Sequence, residues 1–405
     1  MRKTQKIKRY GNIYDKRRGA KKAVTVAAAV TAALLLALLG WILYEPVRDF
    51  ILDEGEGEVS HPSSFASGVQ DPSSSSSVSE SLSETPPESS QTPSVQPPSD
   101  LSGEMRGIYV SAEAAQDAAV LQASLGTASS AGINTVVVEA KNAAGVVCFD
   151  TENAAALDAK AVSETAYSPS QTAALIRKQG MIPAARLYAF RDPLLSSAEK
   201  ELAVTYGNSN TRWLDNSADQ GGKSWLNPCS QEARQYLIDL SVELTRAGFD
   251  TILLDAVQFP SGVGLDKAGY GVNGNFSRSD VLKSFISDVT SAVEQAGGHV
   301  LVCVAADHIE TEEENKALSR ENVLLYGGSP EILAGERAVL MLSSNTDASA
   351  RYALAKSLLP KTKWIASLPA YSSDGAAAAA SDILAPLGIS DGYLLYNPQG
   401  TYLFR

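Results

Sequence analysis

Histidine and cysteine are scarce in this chain: each occurs three times in 405 residues. Cys148, Cys229 and Cys303 lie far apart and form no CxxC pair, which argues against a zinc site or a thiol redox motif. Of the histidines, His61 sits in low-complexity sequence, leaving only His299 and His308 elsewhere. Ser-His-Asp hydrolysis and a His-rich metal centre are both disfavoured, and no metal or cofactor is expected. Basic residues are also short where they would matter. Ten of the 34 Lys/Arg fall within residues 1–22, so residues 23–405 carry 24 bases against 45 acids. Such an acidic domain is ill suited to a phosphate backbone, and nucleic acid is not an expected partner. Acid–base chemistry here has to rest on Asp and Glu.

Four segments follow from composition. Residues 1–22 form a basic tail. Ala23 to Tyr44 is a run of 22 residues without a charge, long enough to span a bilayer as a helix. The basic flank places the N-terminus in the cytoplasm and the remainder outside, so the chain is expected to be a single-pass membrane protein with an extracellular C-terminal domain. A cleaved signal peptide is the rival reading, but no small-x-small cleavage site follows Leu39. Residues 45–102 are first acidic and then dominated by Ser and Pro, a composition that cannot bury enough apolar surface to fold. They are expected to be a disordered stalk. Residues 103–405 hold the folded domain.

That domain alternates strands and helices. Strands are expected at 107–112, 135–141, 182–190, 251–259, 300–306, 338–343, 364–370 and 393–397. Helices are expected at 114–130, 170–179, 231–247, 279–296, 348–358 and 375–387. Eight such strands in about 300 residues suit an α/β domain of the TIM type, a (β/α)8 barrel. A doubly wound open sheet is the runner-up, but the first strand runs into Ser111-Ala112-Glu113 and not into a Gly-rich phosphate turn. The connections at 142–169 and 191–230 are long, as loops serving a site often are.

In a parallel barrel the strand C-termini form the active face. Asp255, on the apolar run Thr251–Phe259, is the central candidate, since a lone charge in such a strand is costly unless paired or used. By strand parity Glu139 and Lys141 share a face of the second strand, and Arg186, Tyr188 and Phe190 share one of the third. Asp307 follows the fifth. Cleavage of a sugar bond needs two carboxylates, one as acid and one as nucleophile or base. Asp255 supplies one, and Glu139 or Asp307 the other. Arg186, Tyr188, Lys141, Trp225, Asn227 and Tyr109 are the candidate substrate-binding residues, with Phe190 and Trp213 as further stacking surfaces. Each has a plainer role open to it. Asp255 could be a structural partner of Arg186, Glu139 and Lys141 a local ion pair, Asp307 and Asp192 helix caps, and Trp225-Leu226-Asn227-Pro228 a packed loop.

Several of these stretches together resemble the DUF4015 group of bacterial glycoside-hydrolase-like proteins. They are Arg106-Gly107-Ile108-Tyr109-Val110-Ser111, then Asn134 through Lys141, Ala185 through Leu195, Trp225 through Pro228, and Gly248 through Pro260. The resemblance is best over residues 104–262. It implies a (β/α)8 barrel acting on a carbohydrate, with Asp255 retained. The chain departs from the group's pattern at Ala256, where an aromatic residue is common, at Gln258, where Arg is common, and at Glu139, where Asp is frequent. The implied function is cleavage of glycosidic bonds in a cell-wall or exogenous polysaccharide. A non-catalytic glycan-binding barrel on a stalk, or an envelope scaffold, stays open as the alternative.

Overall fold

The structure, a computed structural model, describes residues 103–272, 276–311, 320–343, 347–371, 377–389 and 391–404. The expected span at 23–44, the basic tail and the Ser/Pro stalk lie outside the described residues. Among the described residues no helix is long and apolar enough to cross a membrane.

Eight strands form a closed, wholly parallel barrel: β1 Met105–Val110, β2 Thr135–Lys141, β3 Ile182–Tyr188, β4 Thr251–Asp255, β5 His299–Ala305, β6 Arg337–Met341, β7 Lys363–Pro369 and β8 Gly392–Tyr396. Pairing of β8 with β1 and of β1 with β2 closes it, so the fold is a (β/α)8 barrel and not an open sheet. Helices follow the strands: α1 Ala118–Ser130, α2 Pro169–Lys178, α3 Gln231–Arg246, α4 Arg278–Gln295, α5 Arg320–Tyr326, α6 Ala348–Leu358 and α7 Ala380–Leu384. Local chemistry sets several starts. The Ser230 and Ser277 side chains accept from backbone N–H groups at the heads of α3 and α4, and Asp117 does so for α1. Asp117 therefore divides the helix expected at 114–130 into Ala112–Gln116 and α1.

The core has two parts. Leu, Val and Ile from the outer strand faces pack against the helices, and a smaller cluster fills the barrel. The hydrogen-bonded registers slip by about one residue per strand, the shear of about 8 residues per circuit usual for this fold. Residues level along the axis are therefore one position beyond the register partner on each successive strand. This sorts the interior into layers drawn from alternate strands. Ascending toward the strand C-termini, they are Gly107, Ala184, Leu301 and Ile365; Val137, Leu253, Val339 and Leu394; Tyr109, Arg186, Cys303 and Ser367; and Glu139, Asp255, Met341 and Tyr396. Apolar floor gives way to polar mouth over two layers.

Two strands depart from simple alternation, β4 by ending early and β2 by a shift in register. β4 stops at Asp255, not 259, because Ala256 takes φ 51, left-handed backbone that no strand continues through. In β2 the register shifts between Glu139 and Lys141: Glu139 pairs with Arg186, but Lys141 pairs with Leu187. A one-residue slip moves a side chain to the opposite face. The shared face expected for Glu139 and Lys141 is thus corrected. Lys141 points outward and is completely buried, with Nζ 3.0 Å from Asp192 Oδ2 and 2.7 Å from the Tyr188 carbonyl. Burial lowers its pKa, and Asp192 opposes that shift. Asp192 also caps the helix Pro193–Ala198 by accepting from Leu195 N–H at 2.9 Å. The loop after β2 closes over this carboxylate at Gly145 (φ +85), where a Cβ would stand 2.3 Å from Asp192 Oδ1.

Removing one partner of a buried ion pair strands the other charge. Lys141→Met should cost roughly 3–5 kcal/mol, read as a lower midpoint in denaturant unfolding followed by fluorescence of the buried Trp213, Trp225 and Trp364. Adding Asp192→Asn should restore part of the loss. An unfolding curve for Lys141→Met that overlays the wild type would refute the buried-pair account.

Candidate active site

At the mouth the central contact is between Arg186 on β3 and Asp255 on β4. The Arg186 Nε donates to Asp255 Oδ2 at 3.0 Å, and its Nη2 donates to the same oxygen. Asp255 Oδ1 accepts the Ala256 N–H at 2.6 Å, a bond that the left-handed turn at Ala256 brings into line. Both side chains are largely enclosed, 11% and 17% exposed. Burial alone would lower the Arg186 pKa; the facing Asp255 carboxylate more than offsets this, and the guanidinium is held well above its ordinary value. Aromatic rings brace it. Its carbon lies 4.7 Å from the Tyr188 ring centroid and 5.4 Å from that of Tyr109, and Nη2 donates to the Tyr188 hydroxyl at 2.7 Å. Burial, then the Asp255 charge, pushes the Tyr188 hydroxyl up to about 12, so it stays a neutral phenol.

Glu139 stands in the same layer as Asp255, two strands away. Two strand spacings of about 4.8 Å put their Cα atoms roughly 10 Å apart, and both side chains project toward the axis. Burial raises the pKa of Glu139, Arg186 pulls the other way, and Glu113 reinforces the rise. The mouth thus holds two carboxyl groups in contrasting surroundings: one engaged by a guanidinium, the other partly desolvated and pushed toward its neutral form. Such contrast is the usual basis for dividing acid and base roles.

A cavity of about 200 Å³ opens above Arg186, lined by Tyr109, Ser111, Glu113, Glu139, Tyr396 and Asn397 among others. Tyr109 forms its floor, its hydroxyl accepting from Ser367 at 3.4 Å. Tyr396 is 38% exposed, stands edge-on to Tyr109 at 5.8 Å and near Tyr371 at 6.4 Å, and offers a ring face at the rim.

The expected site residues therefore divide. Asp255, Glu139, Arg186, Tyr188 and Tyr109 converge on the mouth. Asp307 lies on the turn Ala306–His308 just past β5, exposed and accepting from Ser343 Oγ at 2.7 Å. Lys141 is behind the barrel wall. Trp225 and Trp213 are buried with their indole N–H groups on Asp215 and the Gly264 carbonyl, so neither presents a stacking face. Asn227 is buried as well, donating to the Tyr270 carbonyl and accepting from Cys229 N–H. Phe190 packs on Phe285 of α4, 4.9 Å between centroids. These are corrections to a binding role: Trp213, Trp225 and Asn227 are taken into the packed loop over residues 191–230, Phe190 is packed on α4, and Lys141 is turned outward by the register shift in β2. Glu113, Tyr396 and Asn397 were not anticipated. Two of them stand at the end of β8, where the same strand-end reasoning applies. Among the described residues no cluster of His, Cys, Asp or Glu could hold a metal ion.

Comparison with known proteins identifies a family. The family described as "Putative glycosyl hydrolase domain" (DUF4015) matches residues 107–320, more than half of the chain. No curated protein matches. Similar solved structures include a hypothetical protein from Ruminiclostridium thermocellum (25% identity, 48% of this chain and 96% of that one, TM-score 0.42). Others are a chitobiase from Flavobacterium johnsoniae (12% identity, 72% and 44%, TM-score 0.45) and a cycloalternan-forming enzyme from Listeria monocytogenes (10% identity, 74% and 29%, TM-score 0.48). The chain spans less than half the length of the last two. On the family match, the chain belongs to the DUF4015 glycosyl hydrolase-type domain family.

Proposed function

We propose that the barrel hydrolyses glycosidic bonds, with Asp255 as nucleophile or base and Glu139 as the acid. The observation that carries this reading is the single layer holding both carboxyl groups, with Arg186 directly beneath. Their side chains reach inward from Cα atoms roughly 10 Å apart, which suits the carboxylate separations of about 5–9.5 Å used by retaining and inverting glycosidases. Glu139, with its raised pKa, is the group able to keep a proton for the leaving oxygen. Tyr396 supplies a ring face against which a sugar can stack. Asp307, exposed on the rim, is the weaker alternative for the acid.

Chemistry fixes the sign of the pH response. A carboxyl with a raised pKa remains protonated above the ordinary Glu value of 4.5 and loses its proton as pH climbs through the raised value. Acid catalysis by Glu139 should therefore fail on the alkaline side. Glu139→Gln should lower kcat/KM by about 10²–10⁴ on glycans, abolish the alkaline limb of the pH profile, and spare 2,4-dinitrophenyl glycosides, whose leaving group needs no proton. An unchanged alkaline limb in that variant would remove Glu139 from the acid role.

Asp255→Asn should abolish turnover of both substrate types. Assays should cover peptidoglycan, chitin oligosaccharides and plant polysaccharides. A second reading has one observation in its favour: both oxygens of Asp255 are already engaged, by Arg186 and the Ala256 N–H. Glycan binding equal in wild type and Asp255→Asn, with no turnover in either, would establish a binding barrel instead.

We propose also that the domain works outside a membrane, carried by a span at 23–44 and a stalk at 45–102. The uncharged run and its basic flank support this placement. Protease added to intact cells should release a fragment containing the barrel and leave the basic tail protected. Protection of the barrel until the cells are lysed would reverse the orientation.

A further inference from the structure

Beside the mouth, the loops that leave β2 and β3 enclose a second cavity of about 650 Å³. Its walls are mostly apolar, with Val146, Pro193, Leu194 and Leu214 among them, but it also receives Arg191 and Lys223 and no acidic side chain. That composition is unusual for this chain, in which acids outnumber bases 45 to 24 after residue 22. Among the described residues neither cation is paired with a carboxylate. Asp215, an acid of the same loop, turns its oxygens onto the Lys223 backbone N–H at 2.7 Å and the Trp225 indole N–H at 3.2 Å.

The walls are also built before any ligand arrives. The Asp215 N–H donates to the Lys223 carbonyl at 2.9 Å, closing the 215–223 loop, and a Cβ at Gly222 would lie 2.0 Å from the Asn216 carbonyl oxygen. Ser224 joins the hydroxyls of Ser196 and Ser197 at 2.7 and 2.9 Å, tying this loop to the helix Pro193–Ala198. The site lies close to the chemistry. Arg191 is three residues beyond Tyr188, so their Cα atoms are at most about 11 Å apart.

We infer that this cavity is a subsite for an acidic sugar, with Arg191 and Lys223 receiving a sugar carboxylate while the apolar wall takes the carbon frame that bears it. The inference rests on the glycan-hydrolase reading and narrows its substrate to anionic glycans. A guanidinium and an ammonium lining one largely apolar hollow can recognise a carboxylate by charge-assisted hydrogen bonds, whereas a neutral sugar would leave both cations unanswered.

The test is a binding titration on the full chain carrying Glu139→Gln, so that ligand is not consumed. The probes are the disaccharide of N-acetylglucosamine and N-acetylmuramic acid, tetragalacturonate, and neutral chitobiose and chitotetraose of matched length. One or both acidic probes should bind about tenfold more tightly than their neutral match, about 1.4 kcal/mol. That preference should shrink with added salt and vanish in Arg191→Gln/Lys223→Gln. Whichever acidic probe wins identifies the source of the carboxylate. Equal affinity for acidic and neutral probes, a preference that survives the double substitution, or no binding of any probe would each overturn the subsite. Both substituted side chains are exposed, so folding is not at risk. Preference without turnover in the unsubstituted chain would keep the subsite and discard hydrolysis. Turnover of chitotetraose without preference would do the reverse.

Discussion

A guanidinium buried near the axis of a barrel has to be answered by a negative charge, and in this molecule the arrangement of the mouth follows from that requirement. Arg186 is enclosed by strands on every side, in a layer whose other members are Tyr109, Cys303 and Ser367. None of these carries a compensating charge. Asp255, one layer higher on the neighbouring strand, does, and the turn at Ala256 supplies a second donor that fixes the carboxylate. Left-handed backbone at a non-glycine residue is costly and persists where surrounding structure enforces it. Here it ends β4 and orients the one carboxylate that satisfies Arg186. The pair is structural in the sense that neither member could be buried alone. It is not sealed off, since the Asp255 side chain stays 17% exposed.

The same guanidinium shapes Glu139 from the other side. Its field favours the ionised form, yet burial and the neighbouring Glu113 outweigh it, and the pKa rises. One cation thus serves two acids unequally. It is in direct contact with Asp255 and acts on Glu139 only through space. Separation of roles between two similar side chains needs this kind of asymmetry, and the fold produces it by placing Arg186 on the strand between them while tipping it toward one.

Much of this was legible in the sequence. All eight barrel strands could be read from short apolar runs between helical stretches, and β2 falls at the expected residues. Asp255, Glu139, Arg186 and Tyr188 could be located by parity and by the rule that sites occupy strand C-termini. Three things could not be read. The slip at Ala140 that sends Lys141 through the wall depends on the pairing of β2 with β3, a tertiary matter that residue alternation does not encode. The burial of Trp213, Trp225 and Asn227 depends on a loop of irregular backbone whose course no period reveals. Glu113 sits in the first turn of the five-residue helix Ala112–Gln116, which starts at the Ser111 cap directly beyond β1, and so it lines the cavity from outside any strand. By contrast Tyr396 lay within reach of the same parity argument applied to β8.

The slip in β2 has an effect beyond one misplaced lysine. Had alternation continued, Lys141 would have joined Glu139 at the mouth and brought a second cation above the two carboxyl groups, competing with Arg186 for them. Turned outward, it instead draws Asp192 into the space behind the wall. Asp192 in turn caps the helix Pro193–Ala198 and forces the β2 loop to close on Gly145. Pro193, Leu194 and the residues flanking Gly145 are the walls of the larger cavity. A single register shift therefore keeps the mouth acidic around one guanidinium and, through a buried ion pair, raises a separate hollow beside it in which Arg191 and Lys223 are left to face solvent. The positive cavity and the carboxylate mouth are two consequences of how one strand resolves the placement of one lysine.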